Sequence, residues 1–278
     1  MNYEDRACRF ACGDDLLYGI LSMPERARSR GILMLVGGPQ YRAGSHRQFT
    51  LLSRFFASHG IPVLRFDYRG MGDSQGETRD FETVDDDIRC AVDYFMQAAA
   101  GMTDVAIWGL CDAASAALFY GFRDPRISGL ALINPWARTE TGLAQTYLRH
   151  YYVSRLFERA LWRKILGGRF SYRAAAASLA AQLSTAFGTC TATASGSLPD
   201  RMYEGYRRFA GPVLVILSGN DLTAKEFSEL VRNEEKWAAL LRQRRTRRIE
   251  LPGANHTFST RQWRELVARH TLDWFGSW

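Results

Sequence analysis

Apolar positions in this chain gather into short unbroken runs, and between the runs the apolar residues recur at helical spacing. Gly31–Val36 (GILMLV), Pro62–Phe66, Asp104–Trp108, Gly129–Ile133 and Val213–Leu217 have the character of strands buried on both faces. Arg248–Leu251 adds another strand. Leu17–Met23 reads as an early strand pairing antiparallel with the segment around Cys8–Cys12. Helical spacing marks His46–His59 (stopped by Gly60), Phe81–Ala99, Asp112–Phe122, Ala224–Leu241 and Arg261–Phe275. Strands alternating with helices predict an α/β fold: a mostly parallel eight-stranded sheet with helices on both faces. No internal repeat is present.

One stretch breaks the rhythm. Between Pro135 and Gly211 no buried strand occurs, while helical spacing is evident, most clearly over Leu143–Leu166. The chain therefore divides into a core (1–134 and 211–278) and a helical cap insertion (135–210). Residues 138–210 hold eleven Arg and Lys against four Asp and Glu, a net +7 that equals the charge of the whole chain. Arg155, Arg159 and Arg163 share one helix face by their spacing. Such a face is either ordinary solvated surface or a cationic lid for an anionic substrate or an anionic membrane surface.

Composition narrows the class. The chain has 278 residues, 46% of them hydrophobic, which excludes a disordered protein. No apolar run is long enough to span a membrane. The opening Met1-Asn2-Tyr3-Glu4-Asp5-Arg6 lacks the apolar stretch of a signal peptide, so a cytoplasmic location is expected. Five scattered cysteines form neither a metal-binding spacing nor a disulfide framework, and buried thiols are expected at Cys8 and Cys12. The basic run Arg242–Arg248 reads as solvated surface, and without a groove-reading motif no nucleic-acid partner is expected. No Walker or dinucleotide-binding glycine pattern occurs, so no cofactor is expected, nor a metal.

The chemistry concentrates where Asp104–Trp108 runs through Gly109-Leu110-Cys111-Asp112-Ala113 directly into a helix. Strand, tight turn, nucleophile, helix is the setting of a nucleophile elbow, usually G-x-S-x-G. Gly109 supplies the first small residue, Ala113 replaces the second glycine, and cysteine stands where serine is usual. A helix N-terminus favours a thiolate, whereas the neighbouring Asp112 opposes it. Cys111 is the candidate nucleophile; a small buried hydrophobe is its bland alternative, and Ser115, one turn on, a rival nucleophile.

An elbow nucleophile needs an acid and then a histidine further along the chain. Asp221 follows the strand Val213–Leu217, and His256 follows Arg248–Leu251, both at strand ends where open parallel sheets collect ligands. The ordinary alternatives are a helix N-cap for Asp221 and a backbone-bonded loop residue for His256. An oxyanion hole needs two backbone donors. One is expected from Asp112. The other is expected from Gly38 or Gln40 in the loop Gly37-Gly38-Pro39-Gln40-Tyr41-Arg42, since Pro39 has no N–H. Tyr41 and Arg42 of that loop are the candidate substrate-binding residues.

With these residues assembled, the chain resembles the α/β-hydrolase superfamily. Asp67-Tyr68-Arg69-Gly70-Met71-Gly72-Asp73-Ser74 strengthens the likeness, matching a structural turn signature that such proteins carry after the fourth strand. More narrowly, the Gly37–Arg42 loop and Gly109–Ser115 resemble the first type of exosortase A system-associated hydrolase, which implies a bacterial hydrolase linked to exopolysaccharide and protein sorting. The cysteine elbow is also similar to that of dienelactone hydrolases. The resemblance implies an α/β-hydrolase fold with a variable cap and a cofactor-independent acyl hydrolase or acyltransferase. Its partner would be a small acyl substrate, anionic or lipid-linked if the basic cap takes part. Two rival expectations are a catalytically silent binding module and a membrane-surface protein acting on lipid-linked substrate.

Overall fold

The computed structural model describes residues 1–38, 40–137 and 196–278. Pro39 and most of the expected cap, with Arg155, Arg159 and Arg163, lie outside the described residues. The eight strands are β1 (Tyr3–Cys12), β2 (Asp15–Pro24), β3 (Arg30–Leu35), β4 (Val63–Phe66), β5 (Asp104–Leu110), β6 (Ile127–Ile133), β7 (Val213–Asn220) and β8 (Thr246–Asn255). They form one sheet in the order β1-β2-β4-β3-β5-β6-β7-β8. β1 and β2 pair antiparallel, as do β2 and β4, and every later pair is parallel.

Continuous apolar runs become strands because both faces of the sheet are covered. Along β5, Val105 and Ile107 enter one core while Ala106, Trp108 and Leu110 enter the other. The first core is closed by α2 (Asp85–Ala98), α3 (Asp112–Gly121), α4 (Leu198–Arg208), α5 (Leu222–Asn233) and α6 (Glu235–Leu241). The second is closed by α1 (Gln48–Ser58) and α7 (Arg261–Phe275). Side chains alternate between faces along a strand, so no position of a central strand can be polar without cost.

Several boundaries differ from expectation for local reasons. The helix expected over Ala224–Leu241 is two helices, broken where Glu234 takes extended geometry. The break turns Trp237 fully into the core, edge-on to Tyr203, Tyr206 and Phe227. α1 begins at Gln48 rather than His46, because His46 and Arg47, within the short turn Ser45–Arg47, have positive φ. α2 begins at Asp85, where Asp85, Asp86 and Asp87 oppose the helix dipole at its positive end. α4, from the end of the stretch read as cap, packs so closely on α3 that a Cβ at Gly205 would strike the Leu118 carbonyl. Within the basic run, Arg245 is structural: it donates to the Phe209 and Tyr206 carbonyls and fastens α4 to the sheet. Among the described residues no helix is long and apolar enough to cross a membrane.

Candidate active site

The turn after β5 is strained at one residue. Cys111 has φ 65° and ψ −125°, a conformation that non-glycine residues rarely adopt and that costs about 1–3 kcal/mol. Backbone bonds hold it there: Cys111 N donates to Ile133 O at 2.9 Å, and its carbonyl accepts from Ala114 N at 3.0 Å and Trp136 N at 3.2 Å. Gly109 is required because a Cβ there would lie 2.5 Å from Ala113 O and 2.6 Å from its carbonyl carbon. Ala113 is fully buried in place of the usual second glycine. Ser115 is also fully buried, with its hydroxyl donated to Trp136 O at 2.7 Å, which withdraws it as a nucleophile.

Three distant residues meet at the carboxyl ends of the strands. His256 Nδ1 lies 2.9 Å from Asp221 Oδ2. The Cys111 thiol interacts with the same imidazole and raises its basicity. The imidazole is pushed up to about 10, first by its bond to Asp221 and then by the Cys111 contact, with burial opposing both. Asp221 is also the N-cap of α5, accepting from Thr223 N at 3.3 Å and Ala224 N at 3.2 Å. The capping bonds and the bond to His256 coexist on this one carboxylate.

Asn134 is a positioning residue that the sequence reading missed. Fully buried at the end of β6 with φ 46°, it accepts from Ser218 N at 2.8 Å and donates to Ser218 Oγ at 2.9 Å and His256 O at 3.2 Å. It thereby ties β6 to β7 and to the histidine loop. The only available signal was an Asn-Pro pair directly after a buried strand.

The expected oxyanion donors are all engaged within the protein. Gly38 N donates to both carboxylate oxygens of Asp112, at 2.8 Å to Oδ1 and 2.9 Å to Oδ2. Ala113 N donates to Oδ1 at 2.9 Å, and the Asp112 amide bonds the same carboxylate. Gly38 and Asp112 amides therefore converge on one anionic group. Gln40 N instead donates to Gly38 O at 2.8 Å, which takes it out of that convergence. Burial raises the Asp112 carboxyl above its ordinary range, with these amides pulling the other way.

Tyr41 and Arg42 do not join this group. The Arg42 guanidinium is paired with the buried Asp67 and with Asp73, at 2.7 Å to the latter, and Arg42 N donates to Asp67 Oδ1 at 2.7 Å. Its charge is consumed in bracing the loop against the Asp67–Ser74 turn. Tyr41 is exposed and donates to Asp73 Oδ2 at 3.1 Å. Among the described residues no group of three or more His, Cys, Asp or Glu is arranged to hold a metal ion.

A cavity of about 340 Å³ adjoins the elbow, lined by Gly38, Tyr68, Met71, Thr78, Arg79, Asp80, Phe81 and Asp112. The Tyr68 hydroxyl and Arg79 Nε are buried there without hydrogen-bond partners.

The family model of the alpha/beta hydrolases matches residues 32–269. The chain belongs to the alpha/beta hydrolase family. This alpha/beta hydrolase is 37% identical over 78 residues to the human protein ABHD12B; the match covers 28% of this chain and 20% of that protein, so the chain aligns with about a fifth of that curated relative. Among solved structures, an esterase of Pyrococcus furiosus superposes with a TM-score of 0.67 at 14% identity, covering 99% of this chain and 92% of that one. A dienelactone hydrolase from Anabaena variabilis superposes with a TM-score of 0.64 at 14% identity, covering 100% and 99%. At such identities the likeness is one of fold, and the chemistry of this member rests on its own residues.

Proposed function

We propose that this protein is a cofactor-independent acyl hydrolase or acyltransferase that works through a covalent acyl-enzyme on Cys111. The observation that carries the reading is the contact of one imidazole with both the Cys111 thiol and the Asp221 carboxylate. In this reading His256 takes the thiol proton, and Asp221 orients the ring and stabilises the imidazolium. The Cys111 sulfur bonds the carbonyl carbon of an ester or thioester, the tetrahedral oxyanion is held by the Gly38 and Asp112 amides, and His256 protonates the departing group. Once the sulfur carries the acyl group, the thiol no longer raises the imidazole's basicity. The ring then falls toward the range in which it activates water or an acceptor hydroxyl.

The substrate is a small activated acyl compound. The net positive charge of 138–210 supports an anionic or lipid-linked one, reached by peripheral contact of the basic cap with a membrane surface. The resemblance of the Gly37–Arg42 and Gly109–Ser115 motifs to exosortase-associated hydrolases supports a cytoplasmic place beside bacterial exopolysaccharide systems.

Alkylation and acyl transfer together test the reading. Cys111 should react with iodoacetamide faster than a model thiol, and His256→Ala should abolish the difference. Acyl transfer from a donor ester to water and to a carbohydrate, run side by side, separates hydrolase from transferase. A Cys111 no more reactive than a free thiol, with no acyl transfer to either acceptor, would leave a silent binding scaffold. Sedimentation with anionic and neutral liposomes tests the lipid contact: equal binding to both ends it.

A further inference from the structure

The oxyanion position of this site is filled by the protein's own carboxylate. Asp112 receives Gly38 N on both oxygens, at 2.8 and 2.9 Å, together with Ala113 N at 2.9 Å and its own amide. The fit is close: a Cβ on Gly37 would collide with Asp112 Oδ1, so the loop has been brought up against this side chain. A tetrahedral oxyanion cannot share these donors with a carboxylate, because two anions would compete for the same amides and repel each other. Tyr68 and Arg79 line the cavity beside Asp112, and each carries a buried donor that lacks an acceptor, the Tyr68 hydroxyl and Arg79 Nε. Tyr68 is almost wholly buried, and a buried hydroxyl without a partner is costly unless another state of the protein supplies one.

We propose that Asp112 is a specificity gate: its carboxylate fills the oxyanion hole at rest, and a substrate acylates Cys111 only when its carbonyl displaces that carboxylate toward Tyr68 and Arg79. The proposal rests on the acyl-transfer reading above. It makes the hole selective, since a small neutral ester offers little binding energy to move the gate, whereas a substrate held by further contacts supplies it. The cavity is both the space into which the carboxylate swings and the source of its new partners.

The test uses p-nitrophenyl acetate, a small neutral ester, and follows acetylation by mass spectrometry of the intact protein with the modified residue located by peptide mapping. In the step observed, the Cys111 sulfur–acetyl bond forms and the ester C–O bond breaks. The thiol proton passes to His256, and p-nitrophenolate leaves with the electron pair. Asp112→Ala is expected to acetylate Cys111 about tenfold faster or more, the factor carried by one charge-assisted hydrogen bond. Tyr68→Phe is expected to slow the unaltered protein, and to matter less once Asp112 is Ala, because the hydroxyl then has no carboxylate to receive. Where the alanine variant does not fold, Asp112→Asn decides, with a severalfold acceleration expected from loss of the charge alone. Acetylation of Cys111 at the unaltered rate in the variant that folds overturns the gate and leaves the acyl reading standing. No acetyl group on Cys111 in any of these proteins overturns the acyl reading, and the gate with it.

Discussion

Asp221 bonds His256 through the same carboxylate oxygen, Oδ2, that accepts from Ala224 N at the start of α5. The helix cap and the orientation of the imidazole are thus one structural event: the amides at the helix N-terminus hold the carboxylate still, and the carboxylate holds the ring. Side chains fixed from two directions lose little freedom in the reaction, which is what a preorganised site requires.

Substitutions at Asp221 should separate the two roles. Asn caps a helix about as well as Asp, so Asp221→Asn is expected to keep most of the stability while lowering acyl transfer on the order of 10³–10⁴-fold through loss of the imidazolium's partner. Asp221→Ala should lose the activity and also about 1 kcal/mol of stability with the cap. Urea unfolding alongside kcat/KM distinguishes the pair; equal stability losses in both variants would deny the capping role.

His256 makes stability depend on pH in a defined direction. Its imidazole is raised from 6.5 to about 10 in the folded protein, chiefly by Asp221 and then by Cys111. Between those values the folded state binds more protons than the unfolded one, so this contribution is complete below about pH 6.5 and is lost as pH rises through 10. The unfolding free energy should therefore fall across that window. His256→Asn should flatten the fall. Asp221→Asn, which removes the largest cause, should move it to lower pH. Urea titrations at a series of pH values measure all three, and a profile unchanged by His256→Asn would contradict the assignment.

The sheet could be read from the chain because parallel strands covered on both faces must be apolar without interruption, as GILMLV at Gly31–Val36 shows. The placement of Cys111, Asp221 and His256 could be read because each follows the carboxyl end of a strand, and Gly109 marks the tight turn before Cys111. What escaped depends on contacts between distant segments. Asn134 acts on Ser218 and His256, far along the chain, and nothing local distinguishes it from a loop residue. Asp112 was recognised as an anion beside sulfur, but the direction of its carboxylate is set by the approach of the Gly37–Gly38 loop. Arg42 was taken for a substrate contact because its loop adjoins the site, whereas its partners, Asp67 and Asp73, come from the next turn.

Arg42 should accordingly behave as a structural residue. Asp67 is fully buried and, among the described residues, its only ion-pair partner is Arg42, so Arg42→Ala leaves a buried carboxylate unpaired, at a cost of about 3–5 kcal/mol. Arg42→Lys cannot reproduce the reach to both Asp67 and Asp73 and should lie between. Thermal unfolding should register these losses, while the KM of the folded fraction should change little. A large rise in KM at unchanged stability would instead return Arg42 to the substrate.

Two glycines near the nucleophile answer to different physics, and alanine at each should show it. At Gly38 a Cβ meets nothing within 4 Å, but φ is +60°, so Gly38→Ala should cost only about 1 kcal/mol of backbone strain and keep the amide in place. At Gly109 the added Cβ would press on the backbone of Ala113 and Ala114, at 2.5 to 2.8 Å, where no side chain can yield. β5 and α3 must then separate, at about 1–3 kcal/mol or more, and the strained Cys111 between them must shift. A displacement of about 1 Å at a reacting atom lowers catalysis about 10²-fold, so Gly109→Ala should lose acyl transfer even at temperatures where it remains folded. Circular dichroism melts paired with the rate of Cys111 acylation test this; a Gly109→Ala protein with unaltered rate would mean that the turn does not set the position of the sulfur.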